Sequence, residues 1–232
     1  MSYRKTSQAV GVAVLIASLA TCKLGTANTT TALVRFVHAV SNGGPLDFYA
    51  NGVRDVNGLE FQNATSYFVV DSGQAIPFSV NIINESTPIV TTTETVTAAH
   101  TYTFMAADSM AGLTPLFIAD SNTAPSSTAV KLRVIHAAPS FKTADVYLIS
   151  QGDTLPSAPT FASFQFEQVS QYQLRPPGSY YMVATAPGDR ATIAAVDTLS
   201  SLGNGTVRTI ILMDNKKGGL PLASITVNDV TR

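Results

Sequence analysis

Arginine, aspartate and histidine recur in this chain at matched positions, and those are the residues with chemistry to offer. Arg35 and Arg133 stand inside apolar runs, Val34-Arg35-Phe36-Val37 and Leu132-Arg133-Val134-Ile135. A half-buried guanidinium needs an anion, and a carboxylate on a neighbouring strand supplies one with fork geometry. Asp47 and Asp145 are the nearest acids that recur with them. The expected structural pairs are therefore Arg35 with Asp47 and Arg133 with Asp145. The other use of such an arginine is to face a groove and bind an anionic ligand, and a duplicated binding site would look the same. His38 and His136 sit three residues beyond each arginine, at strand ends on the opposite face. Zinc takes three or four protein ligands. The chain has three histidines and one cysteine, and His100 meets Thr206 rather than a histidine in the second copy. No metal and no cofactor is expected, and the two recurring rings are read as hydrogen-bonded to loop backbone at a sheet edge. With no Gly-x-Ser-x-Gly elbow, no Ser-x-x-Lys accompanied by its accessory motifs and no phosphate loop, no catalytic residue is assigned.

Cys22 is the fourth candidate. Arg4 and Lys5 precede an apolar run from residue 9 to residue 20. As a helix that run rises about 18 Å, short of a hydrocarbon core about 30 Å thick. Residues 1–21 accordingly read as a secretory signal peptide, and residues 22–31, rich in Thr, Asn and Gly, as a flexible tether. Leu19-Ala20-Thr21-Cys22 resembles the lipobox of bacterial lipoproteins, with Thr21 standing where that family prefers Gly, Ala or Ser. The resemblance implies cleavage before Cys22, its lipidation, and a lipid anchor to a membrane. The expected location is exported, periplasmic or outer-membrane-associated.

Composition bounds what the rest can do. Of 232 residues, 45% are hydrophobic and 12% are charged, which excludes a disordered solvating chain. The formal charge is -1; removing Arg4 and Lys5 leaves twelve basic against fifteen acidic residues, or -3. No nucleic-acid partner is expected of such a surface. A single cysteine excludes an internal disulfide.

The elements that must position these residues come in two copies. Arg35 and His38 recur as Arg133 and His136 at an offset of 98, and Asp47-x-Tyr49 recurs as Asp145-x-Tyr147 at the same offset. Tyr67 and Gly73 recur as Tyr172 and Gly178 at 105, and Leu116 as Leu222 at 106. A turn-rich insertion at residues 150–159 accounts for the drift. Each copy reads as about seven short β-branched and aromatic strands separated by Gly, Pro and Asn turns. The expectation is an all-β protein, two tandem immunoglobulin-like β-sandwich domains at residues 32–121 and 129–232, after the signal segment. A barrel is the structural alternative. Tyr67, Phe68, Tyr172, Tyr180 and Tyr181 serve equally as core and as recognition surface.

The repeated Val-Arg-x-x-His-Ala start, the Asp-x-Tyr, the central Tyr and Gly and the closing Leu resemble domain of unknown function 4397. In this chain they are Val34, Arg35, His38, Ala39, Asp47, Tyr49, Tyr67, Gly73 and Leu116, then Arg133, His136, Ala137, Asp145, Tyr147, Tyr172, Gly178 and Leu222. The resemblance implies exported bacterial proteins of tandem β domains, often with lipoprotein signals, and transfers no catalytic residue. Val40-Ser41-Asn42 departs from the family's continuation, which the second copy keeps as Ala137-Ala138-Pro139. The function expected is a non-catalytic cell-envelope protein with a structural or adhesive role, meeting an envelope protein or a glycan. A carrier holding a small ligand or glycan between the domains is the first alternative, and an envelope hydrolase the second. Sequence leaves the oligomeric state open.

Overall fold

The computed structural model of the chain describes residues 30–121 and 123–229. The expected signal segment and Cys22 lie outside the described residues. The first half carries nine strands: β1 (Thr31–His38), β2 (Leu46–Ala50), β3 (Val53–Leu59), β4 (Asn63–Ala64), β5 (Phe68–Asp71), β6 (Ala75–Ile82), β7 (Pro88–Thr95), β8 (Thr101–Ala107) and β9 (Thr114–Asp120). The second half carries eight: β10 (Val130–Ala137), β11 (Thr143–Ser150), β12 (Phe161–Gln165), β13 (Gln173–Arg175), β14 (Gly178–Ala186), β15 (Asp189–Leu202), β16 (Val207–Met213) and β17 (Ala223–Asn228). There is no helix among the described residues. β1 begins at Thr31, inside the stretch expected as tether.

Each half is a two-layer sandwich rather than a barrel. In the first, β1 joins β4, β5, β8 and β9 in one sheet, while β3-β2-β6-β7 forms the other. In the second, the orders are β13-β10-β16-β17 and β12-β11-β14-β15. One pairing breaks the antiparallel rule in both halves. β1 runs parallel to β8, with Leu33 opposite Thr101, and β10 runs parallel to β16, with Lys131 opposite Val207. The insertion at residues 150–159 runs from the last residue of β11 toward β12, where the first half has only the Asn51-Gly52 turn. Both turn residues have positive φ, 50° and 76°, the backbone that a two-residue hairpin requires.

The register corrects one repeat match. Leu116 lies opposite Met105, and the residue in its place in the second half, opposite Ile211, is Ile225. Leu116 therefore corresponds to Ile225 rather than to Leu222. The cause is the connection between β16 and β17, residues 214–222, which is longer than that between β8 and β9, residues 108–113.

Each half has its own apolar interior, and the two are filled differently. Phe36, Phe48, Phe78 and Phe104 form the first, with ring centroids 5.1 Å apart for Phe36 and Phe48 and 5.5 Å for Phe78 and Phe104. Val134, Val146, Met182 and Ile210 occupy the matching places in the second. A third cluster lies between the halves: Val37, Met105 and Ile118 pack with Ile135, Ile211 and Met213. β1 alternates between two dry environments, Val34 and Phe36 facing their own sandwich and Arg35 and Val37 facing the other half. All seven residues of β8 are buried. A strand covered on both faces reads as a largely apolar run, as Val34 to Val37 of β1 do apart from Arg35 and Phe104 to Ala107 of β8 do throughout.

Candidate functional site

The recurring arginines meet at the contact between the halves, each reaching a carboxylate of the opposite half. Arg35 Nη2 donates to Asp229 Oδ1 at 2.5 Å, and Arg133 Nη2 donates to Asp120 Oδ1 at 2.5 Å. The rest of each guanidinium is engaged in the same way. Arg35 Nε donates to Thr103 Oγ1 at 2.8 Å and Nη1 to the Asn228 carbonyl at 3.0 Å. Arg133 Nε donates to Thr209 Oγ1 at 2.9 Å and Nη1 to the Ala119 carbonyl at 2.9 Å. The second oxygen of each carboxylate accepts from its own half. Asp120 Oδ2 takes Thr103 and Tyr67 hydroxyls at 2.7 and 2.8 Å, and Asp229 Oδ2 takes Thr209 and Tyr172 hydroxyls at 2.5 and 2.8 Å. Tyr67 and Tyr172 also lie under the arginines, 5.0 and 4.5 Å from ring centroid to guanidinium carbon.

Two guanidiniums and two carboxylates leave this group neutral as a set. Arg35 is 1% exposed and Arg133 2%, so the set is dry. Burial works to lower the Arg35 pKa, but Asp120, Asp229 and Tyr67 outweigh it and the net shift is upward, leaving the cation fixed. Burial, reinforced by the neighbouring carboxylates, pushes the Tyr67 and Tyr172 hydroxyls well above the usual phenol range, which keeps them as donors.

The expected pairs of Arg35 with Asp47 and Arg133 with Asp145 do not form. β1 and β2 belong to different sheets, and so do β10 and β11, so each arginine and its nearest recurring acid are in separate layers. Asp47 instead accepts from the Gly58 amide at 2.7 Å, the Asn84 amide at 3.3 Å and Arg54 at 3.3 Å. Asp145 accepts from the Ser163 amide at 2.8 Å and the Gly188 amide at 2.8 Å. Gly58 and Ser163 occupy matching irregularities in β3 and β12, with φ of 68° and 48°. Each aspartate thus ties an irregular neighbouring strand to the hairpin turn beyond it.

The histidines are buried and neutral. His38 Nδ1 accepts from the Val40 amide at 3.2 Å, and Nε2 lies 3.0 Å from the Gly44 carbonyl, as its donor. His136 Nδ1 accepts from the Ala138 amide at 3.3 Å, while Nε2, near the Phe141 carbonyl, makes no hydrogen bond of good geometry. Burial lowers both pKa values, that of His136 to about 4. No group of three or more metal-ligating side chains occurs among the described residues. The residues that sequence reasoning missed are Asp120, Asp229, Thr103 and Thr209. Their signal is the offset: Thr103 and Thr209 are 106 apart, whereas the aspartates are 109 apart because of the longer β16–β17 connection.

Two consequences are measurable. Asp229→Asn removes one charge of a buried neutral set and should cost about 3–5 kcal/mol in urea unfolding. Arg35→Met with Asp229→Leu should cost clearly less than the sum of the single changes; strict additivity would mean that the pair is uncoupled. The histidines set an acid limit. Because their folded pKa values lie below the unfolded value of about 6.5, stability is complete above that pH and falls as pH drops toward 4. His136 should account for about 3 kcal/mol of that fall. His136→Asn keeps an acceptor for the Ala138 amide and should flatten the decline of the urea midpoint between pH 7 and 4; an unchanged slope contradicts the assignment.

Against known proteins, the profile of the family described as Domain of unknown function (DUF4397) matches residues 32–147. No curated protein matches the chain. Among solved structures, it is similar to CBMbc (family CBM26) from Eubacterium rectale Amy13K, solved with maltoheptaose, at 9% identity over 87% of this chain and 98% of that one, with a TM-score of 0.28. It is similar to the pneumococcal glycogen-degrading virulence factor SpuA at 10% identity over 84% of this chain and 22% of that one, with a TM-score of 0.29. The Bacillus anthracis TIE protein is similar at 8% identity over 86% of this chain and 43% of that one, with a TM-score of 0.28. The family match is of another kind, since it spans half of the 232 residues and takes in Arg35, Tyr67, Thr103, Asp120 and Arg133. The chain belongs to the family described as Domain of unknown function (DUF4397).

Proposed function

We propose that this chain is a non-catalytic binding and structural module of the cell envelope, exported by its leader and held through a lipidated Cys22. The observation that carries the reading is the state of the duplicated arginine–aspartate constellation. Arg35, Arg133, Asp120 and Asp229 are buried and spend their polar atoms on one another, on Thr103, Thr209, Tyr67 and Tyr172, and on backbone carbonyls. Catalysis needs a group that substrate can reach and that changes protonation or bonding during turnover. These groups do neither. They hold two sandwiches together, which leaves loops and outer sheet faces as the recognition surface. A ligand carried between the halves is disfavoured, because Val37, Met105, Ile135 and Ile211 already fill that contact.

The mature chain, immobilised and exposed to detergent-solubilised envelope extract, should retain a specific envelope protein or glycan that heat-denatured chain does not. Retention of nothing beyond the denatured control overturns the binding role. Mass analysis of the native N-terminus should find an acylated Cys22; an intact leader or a plain thiol overturns the anchor.

A further inference from the structure

A cavity of about 280 Å³ opens in the first half where the start of β3 faces β5, the edge strand of the opposing sheet. It sits near the lower limit of small-molecule pockets, about 300 Å³, and suits a short chain. Val70 and Ile76, both core residues, form its floor. Val53 and Val69 line it while remaining 64% and 67% exposed, unusual for valines in a folded sheet. Among the described residues its ionisable liners are both acids, Asp55 and Asp71, with no Lys, Arg or His.

Asp55 is placed there by an irregularity of the ladder. Tyr49 pairs with Arg54 and Phe48 with Val56, so Asp55 is the extra residue of a β-bulge, a device that re-aims a side chain. Its Oδ2 is shielded from solvent and has no hydrogen-bond partner among the described residues. The neighbouring cation does not serve it, because Arg54 donates to Asp47. Burial pushes the Asp55 carboxyl above the usual range, against a smaller opposing contribution from the Ala50 backbone. Asp55 therefore lines the cavity as an acid with no cation of its own. The second half has no counterpart, since β12 starts only at Phe161, the residue matching Val56, and the insertion replaces what precedes it.

We propose that this cavity binds a primary alkylammonium group, with the ammonium held by Asp55 and Asp71 and the alkyl stem against Val53, Val69, Val70 and Ile76. The same chemistry is presented by a free alkylamine and by a lysine side chain of a partner. The inference deepens the binding reading above by naming a ligand class, and it fails separately: partners captured from envelope extract by other faces would survive its loss.

The test is a titration of the mature chain followed by amide resonances. Pentylamine at neutral pH should give saturable shifts at Val53 to Asp55 and Val69 to Asp71, and pentan-1-ol should give none. Asp55→Asn should weaken pentylamine at least about tenfold, and Asp71→Asn, on the exposed edge strand, several-fold with an unchanged spectrum elsewhere. A Gly-Gly-Lys-Gly-Gly peptide binding more tightly than pentylamine identifies a protein side chain as the occupant, and the reverse order a free amine. No saturable shift with either amine overturns the proposal, as does equal affinity of both variants and the unaltered chain, or pentan-1-ol binding as well as pentylamine.

Discussion

Two guanidiniums are buried between two sheets, and most of this architecture is the solution to that problem. Removing a guanidinium from water costs several kcal/mol unless its donors and charge are all met. Here neither half can meet that demand alone, because Asp229 completes the shell of Arg35 and Asp120 that of Arg133. Within each half the aspartate is already held by a threonine and a tyrosine, so the carboxylate is aimed before the other half arrives. The exchange is reciprocal, which sets the relative position of the halves more tightly than apolar packing would. The contacts of Val37, Met105, Ile135 and Ile211 are non-directional, whereas short charged hydrogen bonds fix both distance and angle.

The same constraint explains the composition of the central strands. β1, β8, β10 and β16 are covered on one side by their own sandwich and on the other by the opposite half, so they tolerate few polar residues beyond those of the network. Thr103 and Thr209 are the exceptions that the network demands, each passing a hydrogen bond from arginine to aspartate. The parallel pairing of β1 with β8 and of β10 with β16 places each arginine beside its threonine, Arg35 directly opposite Thr103 and Arg133 opposite Thr209. The family match passes beyond the junction to Tyr147, so it includes both arginines and one of the two aspartates.

Much of this was legible in the residues, and what was not has definite causes. The duplication showed in Arg35, His38, Asp47 and Tyr49 because their spacing is held by one short loop in each copy. The class of fold showed in β-branched runs between Gly and Asn turns. The partner of each arginine did not show, since Asp229 is 194 residues from Arg35 and pairing in a sandwich follows layers rather than chain order. Asp47 looked like a partner because it recurs, yet its recurrence comes from the backbone amides of Gly58 and Asn84. β3 carries no strand signal in the sequence, since Arg54, Asp55, Asn57 and Gly58 make it polar, as an edge strand may be without losing its ladder to β2. The leucine match at 106 failed because a similar tripeptide recurs in the longer β16–β17 connection rather than in β17 itself.

With the inner faces committed, the two copies differ where the network does not reach. On the outer face of the β2-β6-β7 layer, Tyr49, Ser79 and Thr91 form one row, and the matching row in the second half is Tyr147, Val183 and Val196. The apolar row there is partly roofed: Leu155 from the insertion packs on Tyr147, Ile149 and Val183, and Arg190 donates to the Leu155 carbonyl. The first half spends no residues on such a roof, and its tight Asn51-Gly52 turn leaves the cavity beside β5 open. Duplicating a single function would favour matching outer surfaces. A frame whose inner geometry is locked by shared charges, and whose outer faces diverge in polarity, instead places two different surfaces at one fixed separation.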